Sequence, residues 1–286
     1  MKLVIHAGTH KTATTAFQRM CCSARSLFAE SGFFYPDFVY RGVNVFQHGY
    51  LVWDLQAGLR SFVFASLCGF YEKGMALGCR SVFLSGEDFE NFLVDSSAQA
   101  QFECMVFDAG FEDLEWVFVR RPAVDYFRSI YSEMSKQAVC ISPVSAASAV
   151  VRSGWFAVST ANLNYFFVID LTRLLGGFVA HSKGRVRVYE FDEFVSGEIL
   201  GGSFLMESFD FSSTFLMDAH LQFANRSKNS GLSAELVESN YFANFLGSVQ
   251  SLGELEMRFL DELGLASRRE SFDAALAMLG QHFSSQ

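Results

Sequence analysis

Apolar positions along the chain follow two rhythms. Short runs rich in β-branched and aromatic residues, at Lys2–Ile5, Phe33–Tyr35, Ser81–Leu84, Leu114–Val119 and Arg185–Tyr189, predict strands. Between them, apolar residues recur every three to four positions. Ala16, Phe17, Met20, Cys21, Ala24, Leu27 and Phe28 predict a helix over Thr14–Ala29, ended by Ser31-Gly32. The same spacing predicts helices over Leu59–Leu77, Ala98–Ala109, Ala123–Ser135 and Asn162–Leu175, the last stopped by Gly176-Gly177. Ile141–Gly154, small and Ser/Ala-rich, reads as a loop or short helices, and the chain reads as helical again from Ser233, most clearly at Leu252–Leu263. Strands alternating with helices predict an α/β fold, a central, mainly parallel sheet flanked by helices. With no repeat or linker in evidence, one domain over 1–286 is expected, its C-terminal part helical from about 233.

Composition narrows the function classes. The 286 residues carry 22 Lys+Arg against 31 Asp+Glu, a net charge of −9. Nucleic-acid-binding proteins generally show a basic face, so such a partner is not expected. Half of the residues are apolar and mean hydropathy is +0.20, which raises the question of a membrane span. The longest apolar stretch, Leu163–Ala180, is broken by Asn164, Asp170 and Arg173, so no transmembrane segment is expected. The opening MKLVIHAG has too short an apolar run for a signal peptide. The cysteines at 21, 22, 68, 79, 104 and 140 form no C-x-x-C pair, and the adjacent Cys21 and Cys22 read as buried thiols. The cytoplasm is the default location.

The most informative stretch is Leu3-Val4-Ile5-His6-Ala7-Gly8-Thr9-His10-Lys11-Thr12-Ala13-Thr14-Thr15. An apolar strand runs into Gly, Lys and several Thr residues, and a helix follows at once. Amides at a helix N-terminus lack partners and lie at the positive end of the macrodipole, so an anion can sit there. Lys11 adds a charge, and Thr12, Thr14 and Thr15 add hydroxyls; the plainer alternative is that the Thr residues cap the helix. A nucleoside-triphosphate loop of the form G-x-x-x-x-G-K-[ST] is disfavoured, because Gly8 lies only three residues before Lys11 and His10 takes the place of the second Gly.

The stretch resembles the 5′-phosphosulfate loop of sulfotransferases, especially bacterial members with G-T-H-K-T-G-T-T-x-x-Q. Gly8, Thr9, His10, Lys11, Thr12, Thr14, Thr15 and Gln18 match, while Ala13 stands where the family usually has Gly. The resemblance implies a P-loop-like sulfotransferase architecture. It also implies transfer of a sulfuryl group from 3′-phosphoadenosine 5′-phosphosulfate (PAPS) to an acceptor hydroxyl or amine, with no metal. Lys11 would neutralise charge on the leaving oxygen, and residues 8 to 15 would hold the 5′-phosphate.

Further segments fit the same pattern. The family's 3′-phosphate site joins an Arg at a strand end to a Ser eight residues on. Arg121 and Ser129 have that spacing, whereas Arg120 follows the strand as the family Arg does, so both stay candidates. Tyr189 resembles a Tyr near the adenine, and Asn225–Ser233, with Arg226 and Lys228, resembles a loop over the nucleotide. Glu87 in Ser85-Gly86-Glu87 resembles an S-x-E element whose Glu acts as general base, and burial among apolar neighbours would raise its pKa. His48 is the rival base. The acceptor stays open among small molecules, lipids, sugars and peptides. Two other functions remain: a nucleotide-dependent kinase with an atypical phosphate loop, and a catalytically silent nucleotide-binding module.

Overall fold

The run from Lys2 forms a strand in which every residue from Leu3 to His6 is fully buried, as a strand covered on both faces requires. The structure, a computed structural model, describes residues 1–136, 141–159, 164–196, 199–212, 214–217 and 268–285. Its strands are β1 (Lys2–His6), β2 (Phe33–Phe34), β3 (Phe38–Tyr40), β4 (Val43–Val45), β5 (Ser81–Ser85), β6 (Asp113–Arg120), β7 (Trp155–Ser159), β8 (Asn164–Val168) and β9 (Arg185–Glu190). Five of them form one parallel sheet in the order β2-β5-β1-β6-β9. The α/β class is therefore as expected, with helices flanking the sheet.

The helices are α1 (Thr14–Ser23), α2 (Arg25–Glu30), α3 (Tyr50–Gln56), α4 (Arg60–Ala76), α5 (Ser96–Asp108), α6 (Ala123–Met134), α7 (Pro143–Ser153), α8 (Leu171–His181), α9 (Phe191–Ser196) and α10 (Gly202–Phe209). A 3₁₀ helix covers Glu87–Leu93, and a further α-helix covers Arg268–Ser284. The chain divides into two compact units, one from the described residues of Met1–Arg121 and Leu171–Ser227, the other from those of Pro122–Asp170 and Lys228–Gln286.

The first unit holds the parallel sheet. One face is covered by an aromatic cluster in which Phe17, Phe28, Phe33, Phe83, Phe194, Phe204 and Phe209 pack together. In the same unit, buried Glu103 of α5 accepts hydrogen bonds from the Trp116 indole (2.9 Å), the Ser182 hydroxyl (2.7 Å), the Lys183 amide (2.6 Å) and the Gln99 side chain (3.2 Å). One carboxylate thus ties α5 to β6 and to the turn before β9. The second unit has its own core, with Tyr126, Phe127 and Ile130 of α6 against Phe156, Phe167 and Phe272.

Several elements differ from the expectation. The helix expected over Thr14–Ala29 breaks at Ala24 into α1 and α2. Of the two readings for Ile141–Gly154, loop or short helices, the helical one holds: Ser142 caps α7 by accepting the Ser145 amide, Pro143 starts it, and Gly154 ends it at φ 85°. The helix expected over Asn162–Leu175 is instead β8, paired antiparallel with β7, followed by α8, which runs through Gly176-Gly177. The β3–β4 hairpin and α3 were not expected. The segments at Asn225–Ser233 and Leu252–Leu263 lie outside the described residues.

Among the described residues no helix is long and apolar enough to cross a membrane.

Candidate functional site

The chain leaves β1 towards β2 on one flank and leaves β6 towards β9 on the other. Ligands in open parallel sheets bind outside the carboxyl ends of strands where connections part in this way. The loop Ala7–Ala13 and the pair Arg120–Arg121 both lie at that point.

The loop is bound to β6 through its backbone. The Ala7 amide donates to the Val117 carbonyl (2.8 Å), and the Val119 amide donates to the Gly8 carbonyl (2.5 Å). The Thr9 hydroxyl donates to the Val119 carbonyl (3.3 Å), and the Thr12 hydroxyl donates to the Thr9 carbonyl (2.5 Å). Gly8 adopts φ +83°, and a Cβ there would lie 3.3 Å from the Glu87 Cα, so glycine lets loop and Glu87 backbone approach. Lys11 and Ala13 are also left-handed, at φ 58° and 63°. For a residue with a Cβ that conformation costs roughly 1–2 kcal/mol.

Ala13 is the N-cap of α1 and supplies no side-chain cap. The hydroxyls of Thr12 and Thr14 do not cap the helix either. Thr12 turns back to Thr9, and Thr14 donates to Glu87 in a short hydrogen bond. Thr15 is exposed, and Lys11 is half-buried.

The two arginines take different partners. Arg120 pairs through two nitrogens with Glu190 on β9 and donates to the Thr172 hydroxyl (3.2 Å). Arg121 donates to the Lys11 carbonyl (2.8 Å) and lies 4.8 Å from the Phe191 ring centre. It is Arg121 that touches the loop. Ser129 is half-buried on α6, in the second unit. Tyr189 is buried, and its hydroxyl donates to Glu207 (2.9 Å) while its ring packs on Phe204. Arg226 and Lys228 lie outside the described residues.

Glu87 opens the 3₁₀ helix after β5. Its Oε2 is 2.8 Å from His10 Nδ1, its Oε1 accepts from Thr14, and its side chain is 26% exposed. Residues i and i+3 eclipse in a 3₁₀ helix, so Glu90 falls on the same side as Glu87. Fully buried Glu90 accepts the His10 amide (3.3 Å) and stands 3.7 Å from His10 Nε2. Burial alone would lower the His10 pKa. The charges of Glu90, Glu87 and Asp88, with the hydrogen bond to Glu87, outweigh it and raise the pKa to about 10. His10 is therefore an imidazolium at neutral pH.

His48 does not face the loop in this way. Its Nδ1 accepts the Ser85 amide (3.1 Å), and Nε2 faces the Pro36 carbonyl (3.2 Å), which assigns the ring proton to Nε2. Burial pushes its pKa down to about 4, against the two backbone hydrogen bonds. The ring ties two backbone segments together as a neutral imidazole. Gly86 meets Gly49 there so closely that a Cβ on Gly86 would lie 2.3 Å from the Gly49 amide nitrogen. Beneath, Gln18 donates to the Ser85 hydroxyl (3.2 Å), which in turn lies 2.9 Å from His6 Nδ1. Burial holds the His6 pKa down to about 3.

A pocket of about 210 Å³ opens beside Glu87, lined by Thr15 and Gln18 of α1, Phe46 and Gln47 after β4, Tyr50 of α3, and Asp88. Loop, carboxylate and pocket are therefore contiguous. Asp88 and Glu90 escaped the sequence reading. Their one visible signal was the acidic run Glu87-Asp88-Phe89-Glu90 straight after a strand. Among the described residues, no group of three or more His, Cys, Asp and Glu is arranged to hold a metal ion. No protein-family model, curated protein or solved structure matches the chain.

Proposed function

We propose that this chain is a sulfotransferase of P-loop-like α/β architecture that moves a sulfuryl group from PAPS to an acceptor hydroxyl or amine. One observation carries the reading. The Glu87 carboxylate is bonded to Thr14 and His10 of the loop that resembles a phosphosulfate cradle, and it also lines a pocket. A base, an anion cradle and room for an acceptor then meet at the sheet's switch point.

When bound, PAPS supplies a sulfuryl group joined to the 5′-phosphate through an oxygen that departs with the bonding electrons. The residues present fit such a group: the first-turn amides of α1, Lys11, and Arg121 beside the loop offer donors and positive charge to its phosphates. Glu87 takes the proton of the acceptor as its oxygen bonds to sulfur. Lys11 offsets charge on the leaving oxygen. The two carboxylates at the pocket, Glu87 and Asp88, disfavour an anionic acceptor.

Thermal denaturation tests the reading. Adenosine 3′,5′-bisphosphate is expected to stabilise the chain and ATP–Mg²⁺ to do little; an equal or reversed response sinks it and favours a kinase. Sulfate from labelled PAPS should then appear on members of a panel of sugars, phenols, amines and tyrosine peptides. Lys11→Ala should lower turnover on the order of a hundredfold or more, and Glu87→Ala by ~10²–10⁴. Full turnover in Glu87→Ala removes the base assignment, and label on no acceptor leaves a silent binding module.

A further inference from the structure

His10 lies between two carboxylates that belong to one 3₁₀ helix, and only one of them reaches the pocket. Glu87 is partly exposed and lines it, whereas Glu90 is fully buried behind His10. Glu90 holds both parts of this loop residue, accepting its amide at 3.3 Å and facing its Nε2 at 3.7 Å, while Nδ1 meets Glu87 at 2.8 Å. A neutral imidazole carries a proton on one nitrogen only. A ring that turns each nitrogen to a carboxylate is held with a proton on both.

We propose that Glu90 is a positioning residue that acts through His10 to fix the orientation of the Glu87 carboxylate. The proposal rests on the reading of Glu87 as the base. Glu90 itself, without exposure, does not meet the acceptor. Asp88, on the same 3₁₀ helix, also acts on the ring with its charge. With Oε2 held by a charged donor and Oε1 by Thr14, Glu87 keeps one geometry.

The test follows the His10 ring by NMR titration of the full chain, as wild type, Glu90→Gln and Glu90→Asp. The wild-type ring should stay protonated beyond pH 8. Glu90→Gln, nearly isosteric, should lower its midpoint by about two pH units, within the range one lost opposite charge produces, and Glu90→Asp should restore part of the difference. In the labelled-sulfate assay, Glu90→Gln should lower kcat with little change in the acceptor KM, and Glu90→Asp should restore part of the loss. A wild-type ring titrating near its ordinary 6.5 overturns the proposal, even if the variants do not fold, and so does an equal midpoint in wild type and Glu90→Gln. Bisphosphate binding with an unmoved midpoint overturns this link alone. A moved midpoint without bisphosphate binding leaves the link standing and removes only the sulfotransfer reading.

Discussion

Asp88 shows how a single residue records the cost of its surroundings. Burial raises its pKa from 3.8 to about 6, with His10 opposing and Glu87 assisting the rise. Between those two values the folded chain holds more proton than the unfolded one, so this residue's contribution to stability falls as pH rises, and the full cost is present above about pH 6. Asp88→Asn should therefore raise the unfolding free energy by about 2 kcal/mol at pH 7.5. The gain should vanish near pH 4, and urea denaturation at the two pH values checks it. His10 shifts stability the same way with pH, but as a gain that is lost rather than a cost that appears. Its raised pKa stabilises the fold fully below 6.5, and that contribution is lost as pH rises through about 10. Glu87, which adds to the cost at Asp88, also helps keep His10 charged.

At the scale of elements, α8 runs through Gly176-Gly177 to His181, where the expectation placed a stop. A Cβ at Gly177 would meet nothing within 4 Å. Helix-interior Gly costs roughly 0.5–1 kcal/mol relative to Ala. Gly177→Ala should thus raise the melting temperature by about 2–4 °C, read by circular dichroism, and an unchanged or lower value would contradict the helix. The misreading has a physical source. Asn164–Val168 is an aromatic run whose short period fits helix or strand alike, and its partner strand β7 decides the matter. For α7 the signals were present, Ser142 and Pro143 before it and Gly154 after, but its small Ser/Ala composition obscured them. β1, the loop, the start of α1 and β5 were legible because local spacing carries them, whereas Glu87 was singled out by the resemblance of Ser85-Gly86-Glu87 to an S-x-E element. Glu90 was not, since its alignment with Glu87 depends on a helical rather than an extended path after β5. Nor was the neutral, doubly bonded state of His48, which is set by Pro36 and Ser85, 12 and 37 residues away.

For the molecule as a whole, the parallel sheet and its coverings depend on a few shared anchors. Glu103 gathers donors from Gln99, Trp116, Ser182 and Lys183. Glu103→Ala would leave the buried Trp116 indole and the part-buried Lys183 amide without this acceptor, and would take one of two acceptors from Gln99 and Ser182. Each such group costs ~1–3 kcal/mol, so a loss of about 3 kcal/mol in unfolding free energy is expected, measured by chemical denaturation. A loss below about 1 kcal/mol would show that water replaces the carboxylate. The anchor shares no residue with the loop or with the pocket beside Glu87.

That separation gives the switch point between β1 and β6 a further meaning. The parting there is made by the two strands sending their chains to opposite flanks of the sheet. The residues around it can change while the sheet hydrogen bonds beneath remain.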